Sequence, residues 1–232
     1  YTMYPVQASG LPAPKTDNAG YYYTLVANSQ NASQDEYIKS AVCKSIKFSI
    51  HPTDNEGVLW METDWVGDSY TRGATVSATP THIPVSGILY SNINVSGFQF
   101  GGNNMTTDFI SAEWTISYGA KTVRDLPSKE FVFPMFTVEG SFTVQADSYT
   151  EAMKTAVYNK AVNASSAMIL MFGGTAGSIT PTANLDVRFD FRVYLTGFEI
   201  DRTEGEVITY NFKGVIGDGI DSQPPFQAKF YA

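Results

Sequence analysis

Two histidines, one cysteine and a small cluster of aspartates are the residues of this chain best suited to chemistry. His51 and His82 are the only imidazoles, so a Ser-His-Asp arrangement or a histidine acid-base step would have to run through one of them. His51 stands before Pro52 in a polar turn and His82 lies in a Thr-, Ser- and Pro-rich stretch, so both read as solvent-facing. Cys43 is the sole cysteine, which excludes an intrachain disulfide and a Cys-rich metal site. Asp218, Asp221 and Ser222 in "GDGIDS" suggest a calcium turn, but the full spacing of a calcium loop is missing. Asp and Gly in their usual turn roles explain the segment. No H-E-x-x-H, P-loop, G-x-G-x-x-G or nucleophile-elbow pattern occurs. The chain therefore reads as a non-enzyme with no catalytic, cofactor-binding or metal-binding residues.

The elements that would position any site are strands. Charged residues make up 16% of the 232 positions, and Tyr, Phe, Thr, Ser, Asn and Gly are abundant, a composition suited to strands and turns. The length allows one large or two small domains. The net charge of −8, without a basic block, argues against gripping nucleic acid through its phosphates. It suits a surface that must repel nucleic acid. Four N-x-S/T sequons, at Asn31, Asn94, Asn104 and Asn163, are what chance gives in so Asn-, Ser- and Thr-rich a chain. The longest strongly apolar run, "AMILMF" at 167–172, is far too short to span a membrane, and no segment reads as a signal peptide.

Period-two alternation dominates. In "DVRFDFRVYL", Val187, Phe189, Phe191, Val193 and Leu195 share one face, while Asp186, Arg188, Asp190, Arg192 and Tyr194 share the other. Further strands are expected at 109–118, with Ile110, Ala112, Trp114 and Ile116 inward, and at 131–145, with Val138, Phe142 and Val144 inward. Pro134 marks an edge or a bulge in the latter. One helix is expected at about 148–162, opened by a Ser148-x-x-Glu151 capping box and striped by Tyr149, Ala152, Met153, Ala156, Val157 and Lys160. The segment 119–130, "GAKTVRDLPSKE", reads as an exposed contact loop.

A hairpin is written twice. At a constant offset of 150 residues, Phe48 matches Phe198, Ile50 matches Ile200, Val58 matches Ile208, Trp60 matches Tyr210, and Gly67-Asp68 matches Gly217-Asp218. The reading is a partial first copy at 1–68, a linker or arm at 69–91, and a complete second copy at 92–232. In the first copy "YYYTLVAN" takes the place of "MILMF", and the counterpart of the helix falls at or before Tyr1. The first copy is accordingly expected to be truncated, its N-terminal part missing.

The order of elements carries a resemblance. Strand 109–118, the charged loop, the strand "TVEGSFTVQ" and the single helix are followed by a hairpin closing on Phe212, Lys213 and Gly217-Asp218. This resembles the tail tube, or major tail, proteins of long-tailed bacteriophages, with their V-x-G-S-F-T strand before the helix and F-K-x-x-G-D ending. The likeness covers about 92–232 well and 21–68 more weakly. It implies a tandem β-sandwich or barrel of the tail tube type with one flanking helix, whose subunits form rings closed by an inner β-barrel. The rings would stack into a tube around a tape measure protein, contact other tail proteins, and pass genome DNA without binding it specifically. The location implied is the virion tail, assembled in host cytoplasm. Two copies per chain give a trimer with pseudo-sixfold symmetry; if the first copy is only an accessory, a hexamer is expected. Candidate lumen-facing residues are Asp186 and Asp190, or Glu139 with Thr137 and Ser141. Pairing with arginine or plain solvent exposure explains the same residues equally well. Candidate ring-stacking residues are Lys121, Arg124, Asp125, Lys129 and Glu130. The competing readings are a carbohydrate-binding or adhesin β-sandwich and a related tail terminator, hub or decoration protein.

Overall fold

The computed structural model describes residues 2–3, 23–27, 36–51, 59–67, 69–72, 95–118, 121–125, 128–132, 137–158, 166–173, 175–181, 186–203, 205–215 and 225–230. The chain is mainly β: antiparallel strands form one large sheet, accompanied by a two-stranded hairpin and one helix.

The sheet has two halves that meet in a shared strand. The first half runs β4 (Trp60–Val66), β3 (Glu36–Ile50), β8 (Phe109–Ser117), β11 (Thr137–Gln145), β14 (Val207–Gly214) and β13 (Val187–Asp201). Every neighbouring pair in that series is antiparallel. The second half places the N-terminal part of β13 between β12 (Ser166–Phe172) and β15 (Phe226–Phe230). Beyond β12 come β6 (Val95–Phe100) and the short β7 (Asn103–Asn104), and β15 is flanked by β1 (Thr2–Met3). β13 changes partners around Arg192, where β15 and β12 give way to β14, and a bulge follows within the β14 ladder between Leu195 and Gly197.

The halves pack face to face through aromatic rings. Trp114 of β8 is 1% exposed and its ring lies 5.2 Å from Phe48, 5.1 Å from Phe189 and 5.4 Å from Phe191. Phe142 of β11 meets Phe98 and Phe100 of β6 at 5.2 and 5.4 Å. The alternation read in the sequence is the cause: Val187, Phe189, Phe191 and Val193 are buried, as are Ala112, Trp114 and Ile116, and Val138, Phe142 and Val144.

Four sequence expectations need correction or narrowing. The segment 119–130 is not a loop throughout: Lys121–Asp125 (β9) and Ser128–Val132 (β10) pair as a hairpin, with Arg124 opposite Lys129 and Asp125 opposite Ser128. The expected strand 131–145 divides, because Phe131 and Val132 belong to β10 while β11 starts at Thr137; Pro134 lies outside the described residues. The linker begins as structure, since β5 (Ser69–Arg72) continues the line of β4 along β3 in the same register. Finally, the helix α1 (Ser148–Tyr158) is capped one residue earlier than expected. The Thr150 backbone N–H donates to Asp147 Oδ1 at 2.7 Å, and the Asp147 N–H donates to Thr150 Oγ1 at 2.8 Å. A carboxylate accepts an end-of-helix amide more strongly than a hydroxyl does, so Asp147 takes the cap. Residues 159–162, including Lys160, lie outside the described residues.

The apolar stripe of α1 is likewise narrower than expected. Met153 is buried, but Ala152 is exposed, and Thr150 and Lys154 are buried in its place. They are buried because they have partners. The Tyr210 hydroxyl donates to the Thr150 carbonyl at 2.6 Å, and Tyr149 donates to the Phe100 carbonyl at 3.0 Å, so the helix is tied to both halves. Burial and the nearby Glu151, Asp147 and Glu206 carboxylates push the Tyr210 phenol far above its usual range, keeping it a donor. Lys154 Nζ reaches Glu206 at 3.0 Å and also contacts Glu151. The Lys154 hydrogen bond holds the Glu206 carboxyl below its usual value, while hydrogen bonds to Glu151 and Glu206 raise the lysine. Glu206 thus contributes stability that is complete above the ordinary glutamate range and lost as pH falls through its lowered folded value. Thermal unfolding across pH should show Glu206→Gln less stable than wild type at neutrality, the difference vanishing in acid. A difference independent of pH would show that the carboxylate charge plays no part.

Candidate assembly interface

The repeat read in the sequence has a topological counterpart. β3 and β13 each span fifteen residues. Each pairs its N-terminal part with the preceding strand, β2 (Tyr23–Ala27) or β12, and its other edge with two successive strands, β4 and β5 or β14 and β15. Each also carries a bulge, between Cys43 and Ser45 in β3 and between Leu195 and Gly197 in β13.

The two hairpins are not identical in register. Phe198 lies opposite Tyr210, but Phe48 lies opposite Met61 rather than Trp60. A one-residue slip exchanges the faces of a strand. Tyr210 is therefore fully buried, whereas its sequence match Trp60 is 48% exposed. Met61 points to the same face as Phe48, yet it is 57% exposed because β4 lies beyond the cover of the second half. Sequence reasoning missed Trp60 and Met61 as surface residues. The signal was present in "WMETDWV", which is not strictly alternating, and a strand of that kind does not have one dry face.

β4 and β13 are the end strands of the first half. β4 pairs only with β3, and β13 beyond Val193 has no strand on its second edge among the described residues. The edges of the second half are occupied. β15 is covered by β1, and β6 is covered by β7, by the Thr106 hydroxyl accepting from Phe98 N–H at 2.8 Å, and by Met105 N–H donating to the Phe98 carbonyl at 2.8 Å. Unpaired edges invite strand addition, and among the described residues one set is blocked while the other is open.

The outer face of the first half is polar. Cross-strand rows run Ser49, Glu113, Ser141, Asn211 and Lys47, Thr115, Glu139, Lys213. Glu139 is exposed, with Lys213 at 3.7 Å, and Glu113 is paired with Lys47 at 3.0 Å. Thr137 and Ser141 are half-buried on the same face. Asp190 lies elsewhere, on β13 in the second half, held by Arg188 at 2.6 Å and by Lys229. Asp186 is 3% exposed, set against Gly173, where an added Cβ would lie 2.6 Å from its carboxylate. The expectation of an outward Asp186 is therefore overturned, because it precedes β13 and turns into the body. Glu139 and Asp190 do not share a surface.

Of the chemically suited residues, His51 is half-buried at the end of β3, while His82, Asp218, Asp221 and Ser222 lie outside the described residues. Cys43 is half-buried on β3, its thiol raised by burial and by Asp64. Among the described residues no His, Cys, Asp and Glu cluster is arranged to hold a metal, and no helix is long and apolar enough to cross a membrane. In comparison with known proteins, no family model and no curated protein matches the chain.

Proposed function

We propose that this chain is a structural virion protein that self-assembles into stacked rings, forming a phage tail tube of the β-sandwich type. The observation that carries the reading is the pair of edges on the first half of the sheet that are open among the described residues, while the edges of the second half are blocked. Six strands alternate in direction across that half, so β4 and β13 run opposite ways. A ring of copies continues the antiparallel pattern without interruption. Its inner wall is the polar face bearing Glu62, Asp64, Glu113, Glu139 and Glu199, against Lys44, Lys47 and Lys213. An acidic balance of this kind keeps DNA from adhering as it passes. The β9–β10 hairpin, with Lys121, Arg124, Asp125, Lys129 and Glu130, is assigned to contact between rings.

The repeated topology of β3 and β13 favours two units per chain and a trimer with pseudo-sixfold symmetry over a hexamer. The tape measure protein and other tail proteins are the partners of this reading, and the virion tail is its location. Electron microscopy and sedimentation of the concentrated protein should show rings or tubes. Stable monomers at every concentration would sink the proposal.

A carbohydrate-binding module is the second reading, favoured by the exposed Trp60 ring beside polar Ser49 and Glu62. Glycan binding lost in Trp60→Ala, without any assembly, would select it. A tail terminator, hub or decoration protein would differ from a tube protein in copy number per particle.

A further inference from the structure

We infer that β4 of one copy docks antiparallel along the open edge of β13 in the next, so that Met61 and Trp65 of the first close over Phe198 and Tyr158 of the second. The inference rests on the self-assembly reading above and assigns its joint.

The chain contains a precedent for this joint. The C-terminal part of β3 pairs with β8, and there Phe48 stacks on Trp114 at 5.2 Å with an interplanar angle of 20°. Phe198 is the repeat match of Phe48 on β13, but among the described residues its side of the sheet has no strand in the place β8 takes beside β3. The ring nearest that gap is Tyr158 at the end of α1, 5.1 Å from Phe198 and edge-on to it, yet 74% exposed. Tyr158 is thus exposed at the rim of the sheet beside a half-buried Phe198.

β4 supplies the complement. Its inward-facing series is Met61, Thr63 and Trp65; the Trp65 indole N–H donates to the Thr63 hydroxyl at 2.9 Å, which fixes both on one face. The chain direction of β4 is opposite to that of β13, as β8 is opposite to β3. Seated on the β13 edge, β4 gives its unpaired amides and carbonyls partners and places Met61 and Trp65 beside Phe198 and Tyr158. The joint is heterologous, using different surfaces of the two copies, so it propagates into a ring or a helix rather than stopping at a dimer.

One electrostatic consequence follows. The outward side chains flanking the joint are Glu62 and Asp64 on β4, the latter paired with Lys44 at 2.9 Å, and Glu199 and Asp201 on β13, which leaves an acidic excess. Like charges on adjacent strands oppose pairing, and salt screens them. Assembly through this joint therefore strengthens as ionic strength rises.

The test uses the full chain with Cys43→Ser as background. Met61→Cys protein and Tyr158→Cys protein are oxidised separately and as a mixture, under conditions where rings or tubes are seen. A disulfide-linked dimer is expected only in the mixture, and the double variant should give a ladder of covalent oligomers. Met61→Asp should weaken assembly by about tenfold or more while leaving the thermal midpoint unchanged, because Met61 is already exposed in the single chain. Cross-linking of Met61→Cys with itself would mean a two-fold β4 to β4 contact and would overturn the joint. Rings without the mixed cross-link would also overturn it, while leaving the self-assembly reading intact. No rings under any salt condition would remove both.

Discussion

Replacing Trp114 with alanine is expected to destabilise the fold by about 3–5 kcal/mol, the cost of emptying an aromatic site that cannot collapse. The indole is 1% exposed and touches rings from β3 and β13, so it joins the two halves of the sheet rather than filling one of them. For a chain of this size that loss lowers the thermal midpoint by roughly 6–20 °C. Trp114→Phe should behave differently. The indole Nε1 is buried without a hydrogen-bond partner among the described residues, and an unsatisfied donor costs about 1–3 kcal/mol. Phenylalanine leaves a small void but removes that penalty, so the two changes largely offset, and a loss near 1 kcal/mol is expected. Equal losses for the two variants in denaturant unfolding would show that the N–H is satisfied and that ring volume at this site carries little of the stability.

The sequence carried the core better than the edges, and the reason is physical. Strict alternation in "DVRFDFRV" requires one dry face, and Val187, Phe189, Phe191 and Val193 occupy it. Asp186 sits at the start of the same alternation but turns inward, because periodicity says nothing about the residue before the first ladder pair. The hairpin at 121–132 was hidden for another reason. Its residues are charged and its strands are short, which are also the properties of a contact loop, and only cross-strand pairing distinguishes the two. Register is subtler still. The match of Trp60 to Tyr210 is correct as sequence, but a slip of one residue reverses which of them is buried. The candidate assembly edges were legible only as a repeat; whether β4 and β13 are edges depends on which strands lie beside them, and that is a property of topology.

Gly140→Ala is expected to cost about 1–3 kcal/mol, toward the upper end, although it adds a single methyl group. Gly140 lies on β11 directly opposite Trp114 of β8. A Cβ there would stand 2.2 Å from the Glu113 carbonyl oxygen and 2.7 Å from Trp114 Cα. Both are backbone atoms, so no rotamer change relieves the contact and β8 must move away from β11. Those two strands lie at the middle of the six-strand half, and the Gly140–Trp114 pair stands between the Glu113–Ser141 and Thr115–Glu139 pairs of its polar face. Separating them strains the ladder that any ring would have to continue. A double-mutant cycle locates the strain. If the glycine merely makes room for the indole, Gly140→Ala becomes harmless once Trp114 is alanine. If the backbone approach is the cause, its cost persists in the Trp114→Ala background, and unfolding of the four proteins should show near-additive losses. Additivity is expected, because the nearest atoms, the Glu113 oxygen and Trp114 Cα, remain in place when the indole is gone.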